Sequence, residues 1–418
     1  ARSYFTYAGG PDGATDWRTE RMAHPSGTSH QNADPMREEP APMVPTLPAD
    51  RVANLNWTYD WLANMSEWTD DAQSFYERSL GETVTNGHGE AVGSDAARPS
   101  ALYLASNLPT SAPTPAAGLD RGGWLELDYG EGGNVETLTV HGRCTDTAAD
   151  VCFDDTGSAL EARRAHLRAH CACGVEQHYQ YRWDELNRLA EARRYDRAGG
   201  GAWTLAARQR YRYDSGNQRI VKSTVATTNY PAERTALYVY PGDFERKGLA
   251  RVSGASPYYT PAGTGAETQY LVAGARIVHE TKAAVSGLRR DVRKTYAITD
   301  VIQSTAAVVE LDTGRLLEHT TYYPNGAVES HLTQHDVAIE PEPVGFTGKE
   351  ADSEVGVVYF GERYLIPRIG RWASPDPLSI HAAGGGETLN GYHYVGGNLL
   401  QARDPVVLCA DNTSCADA

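Results

Sequence analysis

From Trp124 onward, polar and apolar positions alternate in short stretches. WLELDYGEGGNVETLTVHG (124–142) shows this alternation broken once by a Gly-rich stretch, which predicts a β-hairpin. After Gly174 the same character continues to about residue 330. HYQYRW (178–183), RQRYRYD (208–214), ALYVYPG (236–242) and TQYLVAG (268–274) read as strands, as do RKTYAIT (293–299), AAVVEL (306–311) and EHTTYYP (318–324). They are rich in β-branched and aromatic residues, which suit a pleated, half-buried surface, and Gly, Asn or Asp separates them. One stretch has helical spacing instead. GSALEARRAHLRAHCA (157–172) offers Ser158 as a cap and sets Leu160 and Leu167 seven apart on one face.

Before Trp124 the pattern weakens. Residues 33–50 hold five Pro and few bulky apolar side chains, and 85–123 centre on TSAPTPAAG. Between them, 54–80 carry Trp57, Tyr59, Trp61 and Trp68, with a short helix expected around 68–80. Residues 1–123 are therefore expected to be irregular and linker-rich, with one aromatic segment.

The turns repeat. YGEGGNV (129–135), WDELNRL (183–189) and YDSGNQRI (213–220) each place an aromatic at the end of one strand. A polar turn with Gly or Asn follows, and then an aliphatic residue opens the next strand. Such a turn needs a residue that tolerates positive φ, while the aromatic and aliphatic residues pack across the hairpin. Related pieces stand at 312–317 (DTGRLL) and 322–327 (YYPNGA). Repeated along a chain, these units build a long antiparallel sheet that curls; an ordinary all-β domain with similar turns is the alternative.

Composition narrows the function. Hydrophobic residues make up 40% of the 418, which excludes a wholly disordered chain. Lys and Arg number 38 against 54 Asp and Glu, a net charge of −16, so a broad grip on nucleic acid is not expected. There is no run of 18 apolar residues, and no membrane span is expected. The start, ARSYFTYAGG, has neither Met nor an apolar leader core and reads as an internal start. No P-loop, GxSxG or HExxH occurs. Six Cys are too few for a disulfide scaffold. Cys144, Cys152, Cys171 and Cys173, with His residues nearby, offer ligands for a structural zinc. A Cys144–Cys152 disulfide or free thiols are the alternatives.

Residues 345–377, GFTGKEADSEVGVVYFGERYLIPRIGRWASPDP, carry a more specific message. Phe346–Glu350, Tyr359–Phe360–Gly361, Arg363–Tyr364, Pro367, Gly370–Arg371–Trp372 and Ser374, Asp376 and Pro377 stand in the order and spacing of the core signature of the Rhs/YD-repeat family. The chain resembles that family over about 124–405. The resemblance implies a mainly β fold: YD repeats in an antiparallel sheet that spirals into a hollow shell, over 124–344. A core plug follows over 345–408, then a short tail, 409–418. It also implies a bacterial secreted toxin, related to insecticidal toxin-complex C subunits, whose shell encapsulates a C-terminal toxic domain.

In the family, release is attributed to self-cleavage by aspartates in two Asp-Pro motifs. The corresponding residues are Asp376 in SPDP and Asp404 in ARDP, with the cut after Leu408. Two carboxylates in different environments can divide the acid and base roles. The plug departs from the family pattern at Leu399, where Pro is expected, and at Val407, where Gly is expected. Ten residues after Leu408 are too few for a toxic domain, so the cargo is expected to be absent from this chain. The other partner expected is a secretion apparatus or an N-terminal shell region, with localisation secreted or at the cell surface. The alternatives are a non-enzymatic surface or adhesion protein, as YD-repeat chains also include the teneurins, and a remnant without a toxin.

Overall fold

A computed structural model describes residues 2–6, 54–59, 64–70, 83–86, 100–106, 123–142, 160–170, 173–198, 201–227, 233–239, 244–252, 258–261, 266–272, 275–284, 287–333, 342–376 and 390–395. Strands β1 (Arg2–Thr6), β2 (Asn54–Tyr59) and β3 (Met65–Asp70) form a small sheet in that order. Trp57 stands opposite Trp68 in it. Residues 68–70 are thus strand rather than the start of a helix, and 71–80 lie outside the described residues. The aromatic alternation of 54–70 suits a pleat.

The main sheet runs in chain order. It holds β4 (Thr83–Asn86), β5 (Leu102–Ser106), β6 (Trp124–Tyr129), β7 (Val135–Gly142), β8 (Cys173–Trp183), β9 (Leu189–Ala198), β10 (Thr204–Tyr213), β11 (Arg219–Thr224) and β12 (Arg234–Val239). It continues through β13 (Phe244–Val252), β14 (Tyr258–Pro261), β15 (Glu267–Val272), β16 (Ala275–Ala284), β17 (Gly287–Thr299), β18 (Thr305–Glu310), β19 (Leu316–Tyr322) and β20 (Val328–Thr333). Neighbours pair antiparallel, and β15 pairs with β13 beside β14. The sheet therefore begins before Trp124. β5 (LYLAS) is buried along its whole length, so its short apolar run reads as strand despite the Pro-rich stretch after it.

The repeated turns share one geometry. Hairpins β6–β7, β8–β9, β10–β11, β17–β18 and β19–β20 close through five residues: 130–134, 184–188, 214–218, 300–304 and 323–327. In each, the first N–H donates to the carbonyl of the fifth residue, and the fourth N–H donates back to the first carbonyl. The fourth residue has positive φ every time: Gly133 (85°), Asn187 (59°), Asn217 (63°), Gln303 (67°) and Gly326 (89°). Asn and Gly reach that region at least cost. Asp184, Asp214 and Asp300 further tie their turns by accepting two backbone N–H groups each.

The register then slips by one residue in all five. Tyr129, Trp183, Tyr213, Thr299 and Tyr322 face Val135, Leu189, Arg219, Thr305 and Val328, and the next residue is a bulge. Arg219, not Ile220, thus holds the aliphatic position of the repeat. The stretch 312–317 is a different turn, closed by Gly314 N–H to the Glu310 carbonyl. It joins β18 to β19, so in an antiparallel meander it lies at the opposite rim.

Helix α1 (Leu160–His170) covers one end of the sheet, as its periodicity predicts. Leu160 and Leu167 are buried with Tyr103, Leu104 and Trp124. Between them, Arg164 is also buried and donates to the carbonyls of Tyr103 and Leu127.

Candidate functional site

The core segment opens with a sixth copy of the turn. Gly345 N–H donates to the Lys349 carbonyl, Gly348 N–H to the Gly345 carbonyl, and Gly348 has φ 73°. This FTGK turn docks against two of the sheet turns. Thr305 N–H donates to the Gly345 carbonyl, Thr347 N–H reaches Ser304 Oγ, and Phe346 lies over Gly326. Four short strands follow in a small antiparallel sheet: β21 (Glu350–Asp352), β22 (Val357–Tyr359), β23 (Tyr364–Ile366) and β24 (Arg371–Trp372). Val355, Val358, Phe360, Leu365 and Trp372 from this segment share one core with Leu127, Leu138, Tyr181 and Leu189 from the main sheet.

Polar bonds fix the segment along the rim that carries the repeated turns. Val135 N–H donates to the Ala373 carbonyl, Asn325 Nδ2 to the Pro367 carbonyl, and Tyr392 Oη to the Gly133 carbonyl. Gly370 has φ 61° after the 3-10 turn Pro367–Ile369 and aims Arg371 inward. Arg371 Nη1 then donates to the Ser100 carbonyl at 2.7 Å. Trp372 packs edge-on against Phe360 and Tyr394, with ring centroids 5.1 and 5.2 Å away. The Gly370–Arg371–Trp372 signature is therefore an anchor.

A further anchor, which no local sequence pattern announces, is ionic. Arg219 donates to Asp352 Oδ2 and Glu350 Oε2, each at 2.6 Å, while Lys222 bonds Glu350 Oε1 and Asp352 Oδ1. Tyr238 Oη adds a bond to Glu350 at 2.9 Å. The Arg219 guanidinium also lies 4.2 Å from the Tyr359 ring centroid. Burial alone would raise the Glu350 carboxyl, but Lys222 and Arg219 outweigh it and hold it well below the usual range. Burial of Arg219 would disfavour its charge, and Asp352 and Glu350 restore it. Two cations meet two anions here, and loss of one leaves a buried charge without its partner.

Beside this clasp lies a cavity of about 1010 Å³. Its lining mixes Arg234, Lys247, Arg276 and Arg293 with Glu267, Glu318 and Glu342. Arg276 pairs with Glu342 at 2.9 Å. Burial holds the Glu318 carboxyl above its ordinary value.

Of the predicted cleavage residues, Asp376 ends the first described stretch of the core segment, 342–376. Its carboxylate pairs with Arg363 at 3.0 Å, and Arg363 in turn lies 4.3 Å from the Trp372 ring centroid. Asp404, Leu408 and Pro377 lie outside the described residues, as do Leu399 and Val407. So do Cys144, Cys152 and Cys171, while Cys173 begins β8. His141, one of the nearby histidines, is engaged by Glu176 and Glu126.

Two toxin subunits of Yersinia entomophaga are similar to this chain. YenC1 is 28% identical over 199 residues and YenC2 31% over 206, each covering 47% of the chain. These similarities support the chain's resemblance to the Rhs/YD-repeat family. It spans 19% of the length of each of these relatives. No protein-family model matches. Among solved structures, a TcdB2-TccC3 structure has a TM-score of 0.44 at 19% identity, covering 87% of this chain and 18% of that one. A second, TcdB2-TccC3-TEV, has a TM-score of 0.43 at 18% identity, covering 86% and 17%. Trp183–Asp184 and Tyr213–Asp214 each set an aromatic directly before a turn Asp whose side chain ties the turn.

Proposed function

We propose that this chain is a segment of a hollow YD-repeat shell that encloses a C-terminal toxic polypeptide of a secreted bacterial toxin. The observation that carries this reading is the docking of the core segment on the turn-bearing rim, locked by Arg219, Lys222, Glu350 and Asp352. A rim locked this way closes one end of a curled sheet and removes it from solvent.

The core segment, in this proposal, cuts its own chain after Leu408. Asp376 and Asp404 act as the pair, one taking a proton from water and the other giving one to the leaving amide. Intact mass of the expressed chain tests this. A product ending at Leu408 supports it, and a mass that retains residues 409–418 sinks it. Two further parts of the proposal are delivery outside the producing cell and partnership with a longer shell and a secretion apparatus.

A further inference from the structure

Strands β8 to β10 gather positive charge on the face turned away from the core segment. From these strands Tyr181 bonds the Val355 carbonyl, Arg194 the Glu354 carbonyl and Gln209 the Glu354 carboxylate. The Tyr211 ring lies 5.7 Å from that of Tyr364. Alternate residues of a strand point to opposite faces, so Arg182, Arg193, Arg208, Arg210 and Arg212 project the other way. Glu191 stands between Arg182 and Arg210 in register, and Arg208 faces Arg193 directly.

One carboxylate answers this cluster. Glu191 accepts from Arg193, Arg208 and Arg210. Arg182 and Arg212 are exposed, and their side chains make no ion pair or hydrogen bond among the described residues. Arg210 keeps 52% of its side chain open to solvent. The guanidiniums therefore leave a surplus of positive charge on a chain whose net charge is −16. Like charges directly opposite each other weaken a sheet, as Arg193 and Arg208 do here, and an anionic partner would offset that repulsion.

The spacing points to the kind of partner. Arg208, Arg210 and Arg212 lie two apart on one strand, a repeat of about 6.8 Å. An extended polypeptide with acidic residues at alternate positions has the same repeat. No Lys occurs in β8, β9 or β10. The planar guanidinium fork can grip a carboxylate through two parallel bonds, which an ammonium cannot. An anionic bilayer fits less well. It presents its charge broadly, and outside this patch it repels a chain this acidic.

We propose that this face docks an extended acidic segment of a partner polypeptide. The proposal is independent of cargo enclosure and of cleavage. Fluorescence anisotropy on the 418-residue chain tests it, with a labelled decapeptide of alternating Glu and Ser. Vesicles of phosphatidylcholine and phosphatidylserine, read by sedimentation, are the second probe. We expect the peptide to bind, and its affinity to fall as salt rises from about 0.05 to 0.5 M. Arg182→Gln combined with Arg212→Gln should weaken binding about fivefold, the loss of two exposed charge contacts. Thermal unfolding should not change, because neither residue holds Glu191. Glu191→Gln should tighten binding, because it frees the guanidiniums of Arg193, Arg208 and Arg210. Lys294→Gln, at an exposed cation on β17, should leave binding unchanged. The proposal is overturned if the peptide does not bind, or if the vesicles bind and the peptide does not. It is also overturned if the Arg182→Gln, Arg212→Gln variant binds the peptide as the parent does, or if Glu191→Gln fails to tighten it.

Discussion

Arg219 Nη1 and Asp352 Oδ2 lie 2.6 Å apart with both side chains closed to solvent, joining the sheet to a residue 133 positions further along the chain. Removing one partner strands charge in a dry site. Arg219→Met should therefore cost about 3–5 kcal/mol, read as a fall in the denaturant midpoint. Arg219→Met combined with Asp352→Leu should recover part of that loss, because fewer charges are then left unpaired. A loss below about 1 kcal/mol for the single variant would mean that the clasp behaves as an exposed pair.

The strands were legible because their alternation and their Gly/Asn turns are local signals. The clasp was not, for a physical reason. Strict alternation puts Arg219 and Lys222 on opposite faces. The bulge between them restores the same face, so both reach Glu350 and Asp352. A bulge follows each YD-type turn, so the repeat itself carried the missing information. The anchoring roles of Gly370, Arg371 and Trp372 could not be read locally either, since their partners, such as Ser100, are remote in sequence. The α1 helix was legible from Leu160 and Leu167 alone, whereas the buried Arg164 between them was not.

Acid should loosen the sheet at Glu191. Burial alone would raise its carboxyl, but hydrogen bonds from Arg208, Arg210 and Arg193 bring it down to about 2 from an ordinary value of 4.5. A depressed folded-state pKa stabilises above the unfolded value, and that stability is lost as pH falls through the folded one. The melting temperature should thus drop between about pH 4.5 and 2. Glu191→Gln should lower the melting temperature at pH 7 and flatten the drop. An unchanged pH profile in Glu191→Gln would assign the acid sensitivity to other carboxylates.

Gly326 meets two constraints. Its φ is +89°, and a Cβ there would stand 2.7 Å from Phe346 Cδ1. Gly314 has φ +71° but no heavy atom within 4 Å of a built Cβ. Gly314→Ala should cost roughly 1–2 kcal/mol from backbone strain alone. Gly326→Ala should cost about 1–3 kcal/mol more, because Phe346 must also shift. Limited proteolysis gives a second reading. Gly326→Ala should speed cutting within the core segment, and Gly314→Ala should not. Equal costs and equal cutting rates would show that the FTGK turn does not lean on Gly326.

Asp376 has two separable roles. As the ion-pair partner of Arg363, it is partly exposed, with 28% of its side chain open to solvent. A pair of that kind contributes up to about 1 kcal/mol. As a member of the proposed cleavage pair, it takes part in proton transfer during the cut, a role that stability measurements do not report. Asp376→Asn and Asp404→Asn should each leave the chain at full mass, whereas the parent is shortened to Leu408. Arg363→Lys should weaken the contact to Trp372 and lower the melting temperature, because a compact ammonium replaces a stacked guanidinium. It should still permit the cut, because the Asp376 carboxylate is retained. If Asp376→Asn instead yields the same Leu408-ended product as the parent, with only a small loss of stability, Asp376 is an anchor of the core segment and takes no part in cleavage.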